Sequence, residues 1–374
     1  IPRNVHKSVT AGIILSGAIP VYMQPALDKR VGIAQGVTPE TVEETLKKNT
    51  DAKAVLIINP TYYGVATDIK KISDIVHSYD IPLIVDEAHG PHLGFNDNLP
   101  MSAIEAGADM CSQSTHKIIG ALTQCSLLHV CSERIDINRV HQVLSLLQTT
   151  SPSYILMASL DCARRQIALH GEELLNKSIE LSNYLRYEIN RIKGFYCFGE
   201  EILGNEGVAA LDPTKITINC RELGITGYDL DMILSNKYHI QMELSDLYNV
   251  LAVGSFGDTK EAIDTLLHAL REISSEYFVK ENKKSDFLDI PDIPKQIRIP
   301  RDAFNSPKKS LLLKNSIGMI SGEFLMAYPP GIPILCPGEE ITKEIVDYVQ
   351  KLKDTGLYVQ GTEDPEVEYI KVVI

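Results

Sequence analysis

The sequence predicts an α/β protein whose large domain is built on a mostly parallel sheet, joined to a smaller α+β domain and a C-terminal domain. Three observations carry this expectation. Short, wholly apolar runs recur between residues 52 and 131, helix-like segments separate them, and beyond residue 195 short strands and helices mix without that regular alternation. Strands buried on both faces read as continuous apolar runs, and repeated strand-then-helix order is the signature of a parallel sheet.

Taken in order, residues 54 to 58 (Ala-Val-Leu-Ile-Ile) form the first such run, which stops at Asn59-Pro60. Asp68 can cap a helix running to about Tyr79, and residues 81 to 85 give a second strand. Residues 102 to 106 suggest a short helical turn, and 108 to 111 and 126 to 130 read as further strands. Residues 135 to 148, 152 to 169 and 172 to 192 have helical periodicity, with Gly171 and Gly194 as stops. These segments make a large domain over residues 1 to 194. A small domain over 195 to 278 has strands at 215 to 219 and 250 to 253 and helices at 228 to 236 and 259 to 277. Residues 279 to 305, rich in Pro and charge, read as a linker into a C-terminal domain that ends at 374.

Composition narrows the function. With 36 basic and 49 acidic residues the net charge is −13, the wrong sign for a protein that neutralises nucleic-acid phosphates or anionic lipid heads. No apolar run approaches the roughly 18 to 20 residues of a spanning helix. Seven cysteines, at 111, 125, 131, 162, 197, 220 and 336, are odd in number and contain no CxxC pair. That argues against a disulfide framework and for a reducing cytoplasm. The opening Ile1-Pro2 suggests that an N-terminal portion is missing.

In open α/β sheets ligands sit at the carboxyl ends of the strands, so the residues after Val85 and from Ser112 onward are the first suspects. Ser112-Gln113-Ser114-Thr115-His116-Lys117 is a polar hexapeptide placed there. A lysine in a partly desolvated pocket has a lowered pKa and can form an imine with an aldehyde, while nearby hydroxyls and a histidine offer donors to a phosphate. Asp86, 31 residues upstream, ends the preceding strand. A carboxylate buried there needs a cation, and the protonated ring nitrogen of pyridoxal phosphate is one. Asp86-Glu87-Ala88-His89 also spells the DEAH run of nucleotide-driven helicases, but the G-x-x-x-x-G-K-[ST] loop such enzymes require occurs nowhere in the chain. His89 and His92 have no further His or Cys at a spacing that completes a metal site, so no metal is expected.

In combination, Ile1-Pro2-Arg3-Asn4-Val5-His6-Lys7-Ser8, Val85-Asp86-Glu87-Ala88-His89-Gly90, Gln113-Ser114-Thr115-His116-Lys117, Thr149-Thr150-Ser151-Pro152-Ser153-Tyr154 and Ala327-Tyr328-Pro329-Pro330-Gly331-Ile332-Pro333 resemble the bacterial ornithine/lysine/arginine decarboxylases, pyridoxal-phosphate enzymes of fold type I. The short, arginine-specific form is the nearer likeness. The resemblance implies decarboxylation of a basic amino acid, arginine first and lysine or ornithine as alternatives, with agmatine as a polyamine precursor. It implies that Lys117 carries the cofactor as a Schiff base, that Asp86 pairs with the ring nitrogen and that His6 stacks on the ring. Ser114 and His116 would contribute to the phosphate site, and His89 would lie near the ring hydroxyl, where larger relatives carry Trp. The Thr149-Thr150-Ser151 turn would reach a neighbouring subunit's phosphate in a homodimer or larger homo-oligomer with shared sites. Ser151 can also cap a helix with Pro152 in its first position. Glu243, Ser245, Asp246 and Glu323 are the acidic and polar candidates for the substrate's cationic tail. The family's Gly-Thr-Ser phosphate loop, expected ahead of Pro2, is not in this sequence. An aminotransferase of the same fold, or an inactive truncated relative, would share most of these features.

Overall fold

The computed structural model describes residues 1–278, 291–327, 332–354 and 359–374. In chain order the elements are α1 (Lys7–Ser16), β1 (Leu27–Asp28), β2 (Ile33–Ala34), α2 (Pro39–Lys48), β3 (Val55–Ile58), β4 (Val65–Ala66), α3 (Ile69–Ser78), β5 (Leu83–Asp86), β6 (Met110–Gln113), α4 (Thr115–Ile118) and β7 (Leu127–Val130). There follow α5 (Ile137–Leu147), α6 (Tyr154–Ile189), β8 (Ala210–Leu211), β9 (Lys215–Asn219), α7 (Gly227–Tyr238), β10 (Leu244–Ser245), β11 (Asn249–Val253) and α8 (Lys260–Tyr277). The last elements are α9 (Pro300–Asn305), β12 (Lys308–Leu312), β13 (Leu325–Ala327), β14 (Ile332–Leu335), α10 (Lys343–Asp354), β15 (Val359–Gln360) and β16 (Tyr369–Val373).

The chain divides into two compact units, Pro25–Ser285 and a second made of Ile1–Gln24 with Asp286–Ile374. The larger unit holds a four-stranded sheet in the order β3-β5-β6-β7. The pairs β3–β5 and β5–β6 are parallel, while β7 runs antiparallel to β6. Leu83 and Val85 of β5 and Ile57 of β3 are fully buried, as their apolar runs require. Asp68 caps α3 by accepting from Lys71 N, as the sequence suggests. A second, three-stranded sheet (β10-β11-β9) is antiparallel throughout. Its Ile216 and Ile218 face a core shared with Leu185 and Ile189 of α6, Leu230 and Leu234 of α7, and Leu267 and Leu270 of α8. In the other unit β12 pairs with β16, and β13 lies between β14 and β15. There Arg3 is buried, bonded to both oxygens of Glu339 at 2.6 and 2.8 Å and to the Pro333 and Ile334 carbonyls at 3.0 Å.

Several expectations need correction. The segments 152 to 169 and 172 to 192 are one helix, α6, of 36 residues, which runs through Gly171. Gly171 is there for closeness, not termination: a Cβ on it would stand 3.2 Å from Phe95 Cβ and Ile167 Cδ1. The cap of α6 is Ser153, whose Oγ accepts from Leu156 N, so Ser151 and Pro152 precede the helix. Inside the stretch read as a linker, Pro300–Asn305 is helical, with proline in its first turn. Residues 279–290 of that stretch, and the Tyr328-Pro329-Pro330-Gly331 run, lie outside the described residues.

Candidate active site

The parallel strands β3, β5 and β6 end side by side, and each delivers part of one polar cluster. Asp86 is the last residue of β5, in register with Ile58 of β3 and Ser112 of β6. It is partly buried, and its Oδ1 accepts from Ala88 N at 3.1 Å, which turns the chain toward His89. Gly90 makes that turn possible, because a Cβ there would meet Glu87 Cγ, Leu93 Cδ1 and Pro60 Cδ at 2.7 to 2.8 Å. After β6, Ser114 occupies the cap position of the one-turn helix α4, which carries His116 and Lys117.

Lys117 Nζ lies 2.9 Å from His89 Nε2. The His89 ring is buried against Tyr62, ring centres 4.0 Å apart at 46°, and Lys117 Nζ sits 5.6 Å from the centre of the same tyrosine ring. Burial pushes the Lys117 amine below the ordinary lysine range, against the opposing pull of Asp86 and Glu243. Tyr62 Oη donates to Glu243 Oε1 at 2.8 Å, so a tyrosine after β3 ties an acid ahead of β10 to the cluster. His116 is fixed differently, with Nδ1 2.8 Å from the Cys125 carbonyl, and Thr115 Oγ1 is buried with no hydrogen-bond partner among the described residues.

Behind this layer Glu87 is fully buried. Its carboxylate accepts from Ala103 N at 2.6 Å, Gln113 Nε2 at 2.6 Å and Cys111 Sγ at 3.3 Å. Burial outweighs those donors and pushes its pKa up to about 7. His92 Nε2 and Asp212 Oδ2, both fully buried, are 3.1 Å apart. Burial alone would raise Asp212, but His92 and Lys215 outweigh it and hold the carboxyl at about 2.

Of the residues singled out from the sequence, Asp86, His89 and Lys117 are brought together, with Ser114 and His116 on the same α4 segment and Glu243 facing Lys117. Asp246 is placed differently from a substrate-facing acid. It is engaged inside the protein, accepting from Tyr63 Oη at 2.6 Å, from Tyr248 N at 2.8 Å and from Asn249 Nδ2 at 2.9 and 3.0 Å. Ser245 Oγ is buried and donates to Asp231 at 3.1 Å. Thr150 and Ser151 are exposed in the turn before α6. His6 and Glu323 belong to the other unit. There His6 caps α1, its Nδ1 accepting from Ser8 N, and Glu323 accepts from the backbone of Lys371 at 2.7 Å and Glu363 at 2.9 Å. Sequence reasoning missed Tyr62, Glu87 and the His92–Asp212–Lys215 group. Tyr62 could have been found, since it follows the first apolar strand at the same edge as Asp86.

Comparison with known proteins gives a consistent picture. The family described as Orn/Lys/Arg decarboxylase, major domain, matches residues 1–262, and its C-terminal domain matches residues 293–365. An arginine decarboxylase of Bacillus anthracis is 46% identical over 374 residues, covering 100% of this chain and 76% of that protein. An arginine decarboxylase of Bacillus subtilis is 45% identical with the same coverage. Among solved structures, the Francisella novicida lysine decarboxylase superposes with a TM-score of 0.85 at 24% identity over 100% of this chain and 66% of its own. That likeness is one of fold.

Proposed function

The chain belongs to the Orn/Lys/Arg decarboxylase family, and on that premise we propose that it decarboxylates L-arginine to agmatine and CO₂ with pyridoxal phosphate bound at Lys117. The observation that carries the reading is the cluster itself: an amine whose pKa burial lowers, 2.9 Å from His89 and facing Asp86 at the end of the neighbouring strand. Those groups fit the cofactor's chemistry. Lys117 would hold its aldehyde carbon, Asp86 its ring N–H, and Thr115 Oγ1, buried without a partner, is a donor in need of an acceptor. When bound, the cofactor supplies an electron sink for the pair left behind as the bond to the carboxylate breaks.

The remaining work falls to the chain's own groups. Asp86, a carboxyl at the strand end, would make a positive charge favourable where the ring nitrogen would lie. Lys117 Nζ and His89 Nε2 form a pair that can hold the proton destined for the substrate's α-carbon and deliver it after CO₂ departs. The Tyr62 ring shields that pair on one side and, through its hydroxyl, fixes Glu243 at the mouth of the site. Glu243 is exposed, and a carboxylate there suits the planar donor fork of a guanidinium. Arginine is favoured over lysine and ornithine by the 46%-identical arginine decarboxylase.

The active form would be a cytoplasmic homodimer or larger homo-oligomer. In support, α5 and the start of α6 expose Ile137, Leu146, Leu147, Tyr154 and Ile155 at 52 to 82%, an apolar stripe beside the Thr149–Ser151 turn. Such a stripe suits a second copy of the chain. The function is tested by CO₂ release from carboxyl-labelled arginine, lysine and ornithine with added pyridoxal phosphate. Arginine alone should give product, and Lys117→Ala should remove it. Keto-acid formation without CO₂ would replace the reading with an aminotransferase.

A further inference from the structure

Two loops meet beside Lys117, and a buried side-chain pair joins one to the other. The first follows β5 as Glu87-Ala88-His89-Gly90-Pro91-His92 and carries the His89 ring; the second follows β3 as Thr61-Tyr62-Tyr63-Gly64 and carries the Tyr62 ring. Those rings lie 4.0 Å apart. Three residues further along the first loop, His92 Nε2 stands 3.1 Å from Asp212 Oδ2, both side chains fully buried. Asp212 is itself fastened to the second loop: its N–H donates to the Gly64 carbonyl at 2.8 Å, and Gly64 N closes the turn on the Thr61 carbonyl at 3.0 Å. A Cβ on Gly64, which has φ +85°, would stand 3.0 Å from the Asp212 carbonyl oxygen, so these two segments approach along their backbones.

We propose that His92 and Asp212 are positioning residues: their contact fastens the His89 loop to the Tyr62 turn and so holds His89 Nε2 against Lys117. Among the described residues, neither His92 Nε2 nor Asp212 Oδ2 has a hydrogen-bond partner elsewhere, and His92 Nδ1 has none. A buried imidazole with a nitrogen unmet is costly, and an apolar ring of similar size would pack there without that cost. What the polar ring gains is Asp212. The two loops are anchored unequally. The Tyr62 turn has fastenings of its own, with Tyr63 Oη donating to Asp246 at 2.6 Å and Thr61 N donating to the Val65 carbonyl at 2.8 Å. In the first loop, Glu87 is fixed by the donors to its carboxylate and Leu93 by the core it shares with Ile167 and Leu175. The span between them keeps local backbone bonds, Gly90 N to the Glu87 carbonyl at 2.9 Å and Leu93 N to the Gly90 carbonyl at 3.1 Å. Loss of the His92 contact therefore loosens His89 and leaves Tyr62 in place, with Glu243 still bonded to it.

This inference rests on the reading of Lys117 and His89 as working groups of a decarboxylase, and its first readout needs no cofactor. The full chain, free of pyridoxal phosphate, is treated with diethyl pyrocarbonate, which acylates accessible imidazole nitrogens. Modification of His89 is followed by mass spectrometry, with the exposed His268 as internal reference. His92→Phe, which keeps the ring's bulk and removes both nitrogens, should speed His89 modification about tenfold. In the loaded enzyme it should lower kcat for arginine by about tenfold or more while KM stays within about threefold, because a misplaced proton partner slows the reaction and Glu243 is undisturbed. His92→Gln, whose amide nitrogen reaches about as far as Nε2, should restore both readouts. His92→Asn is polar but too short, so it should behave like Phe, and it takes Phe's place if that variant does not fold. A ring kept only for packing gives the opposite order, Phe tolerated and Gln not, and overturns the proposal. Faster modification with unchanged kcat, or a rise in KM alone, overturns it too. Borohydride reduction of the wild type with pyridoxal phosphate is the separate control. If it fails to fix the cofactor on Lys117, the functional reading fails, while the order of His89 modification still decides whether His92 holds the loop.

Discussion

Glu87 should make the protein less stable as pH rises through neutrality, and the structure gives the size of the effect. The carboxyl is fully buried between Asp86 and the turn to His89, with donors from Ala103, Cys111 and Gln113. Burial moves its pKa from 4.5 to about 7 in the folded chain, while the unfolded chain keeps the ordinary value. Between those values the native state binds the extra proton, so the stabilisation is fully present below pH 4.5 and is lost as pH climbs through 7. At about 1.4 kcal/mol per pH unit the loss amounts to about 3 kcal/mol. Glu87→Gln keeps the shape and has no charge to bury. In urea unfolding followed by circular dichroism, the variant should gain on the wild type by about 3 kcal/mol between pH 4.5 and pH 8. Every other titrating group is common to both chains and cancels in the difference. A gap that stays constant across that range would refute the assignment of Glu87 as a carboxyl that is protonated in the fold.

Two further outcomes are expected. Lys117→Ala should lose arginine decarboxylation by several orders of magnitude while leaving urea stability within about 1 kcal/mol, because the side chain is partly exposed and its loss leaves no buried charge behind; unfolding of the variant would show the lysine to be structural. Leu146→Glu combined with Ile155→Glu, at positions 81% and 74% exposed, should shift the protein toward monomer in analytical ultracentrifugation without loss of helical circular dichroism; an unchanged oligomer would place the contact between copies elsewhere.

The parts legible in the sequence were those that local pattern decides. The apolar runs of β3 and β5 and the cap of α3 needed no tertiary information, and Asp86 and Lys117 followed from standing at or just after strand ends. Where tertiary contacts decide, local reading went astray. The strand expected at 81 to 85 starts two residues late, where Leu83 comes into register with Val55, the first residue of β3. Gly171 looked like a stop because a mid-helix glycine costs about 1 kcal/mol. Packing of Ala163, Ile167 and Leu175 around it outweighs that cost. The direction of β7 is not written in its apolar content at all. Gly64 and Lys215 meet only through the fold, from segments whose sequences carry no mutual signal.

The charges buried around this site make one more test possible, independent of any catalytic assay. Asp212 and Lys215 are both fully buried; Asp212 is held low by His92 first and Lys215 second, and Asp212 in turn offsets part of the burial that lowers Lys215. Removing one member of such a pair leaves an uncompensated buried charge, at a cost of about 3–5 kcal/mol, whereas removing both leaves none. Asp212→Asn retains an oxygen for Thr214 N and Thr214 Oγ1, which Asp212 Oδ1 now accepts at 2.9 and 2.7 Å, so the backbone turn should survive. Asp212→Asn alone should therefore cost several kcal/mol in urea unfolding, and adding Lys215→Met should recover part of that loss. If the two costs simply add, Lys215 is already uncharged in the folded chain. If the double variant is the more stable of the two, the charge on Lys215 is a net cost to the fold once Asp212 no longer offsets it.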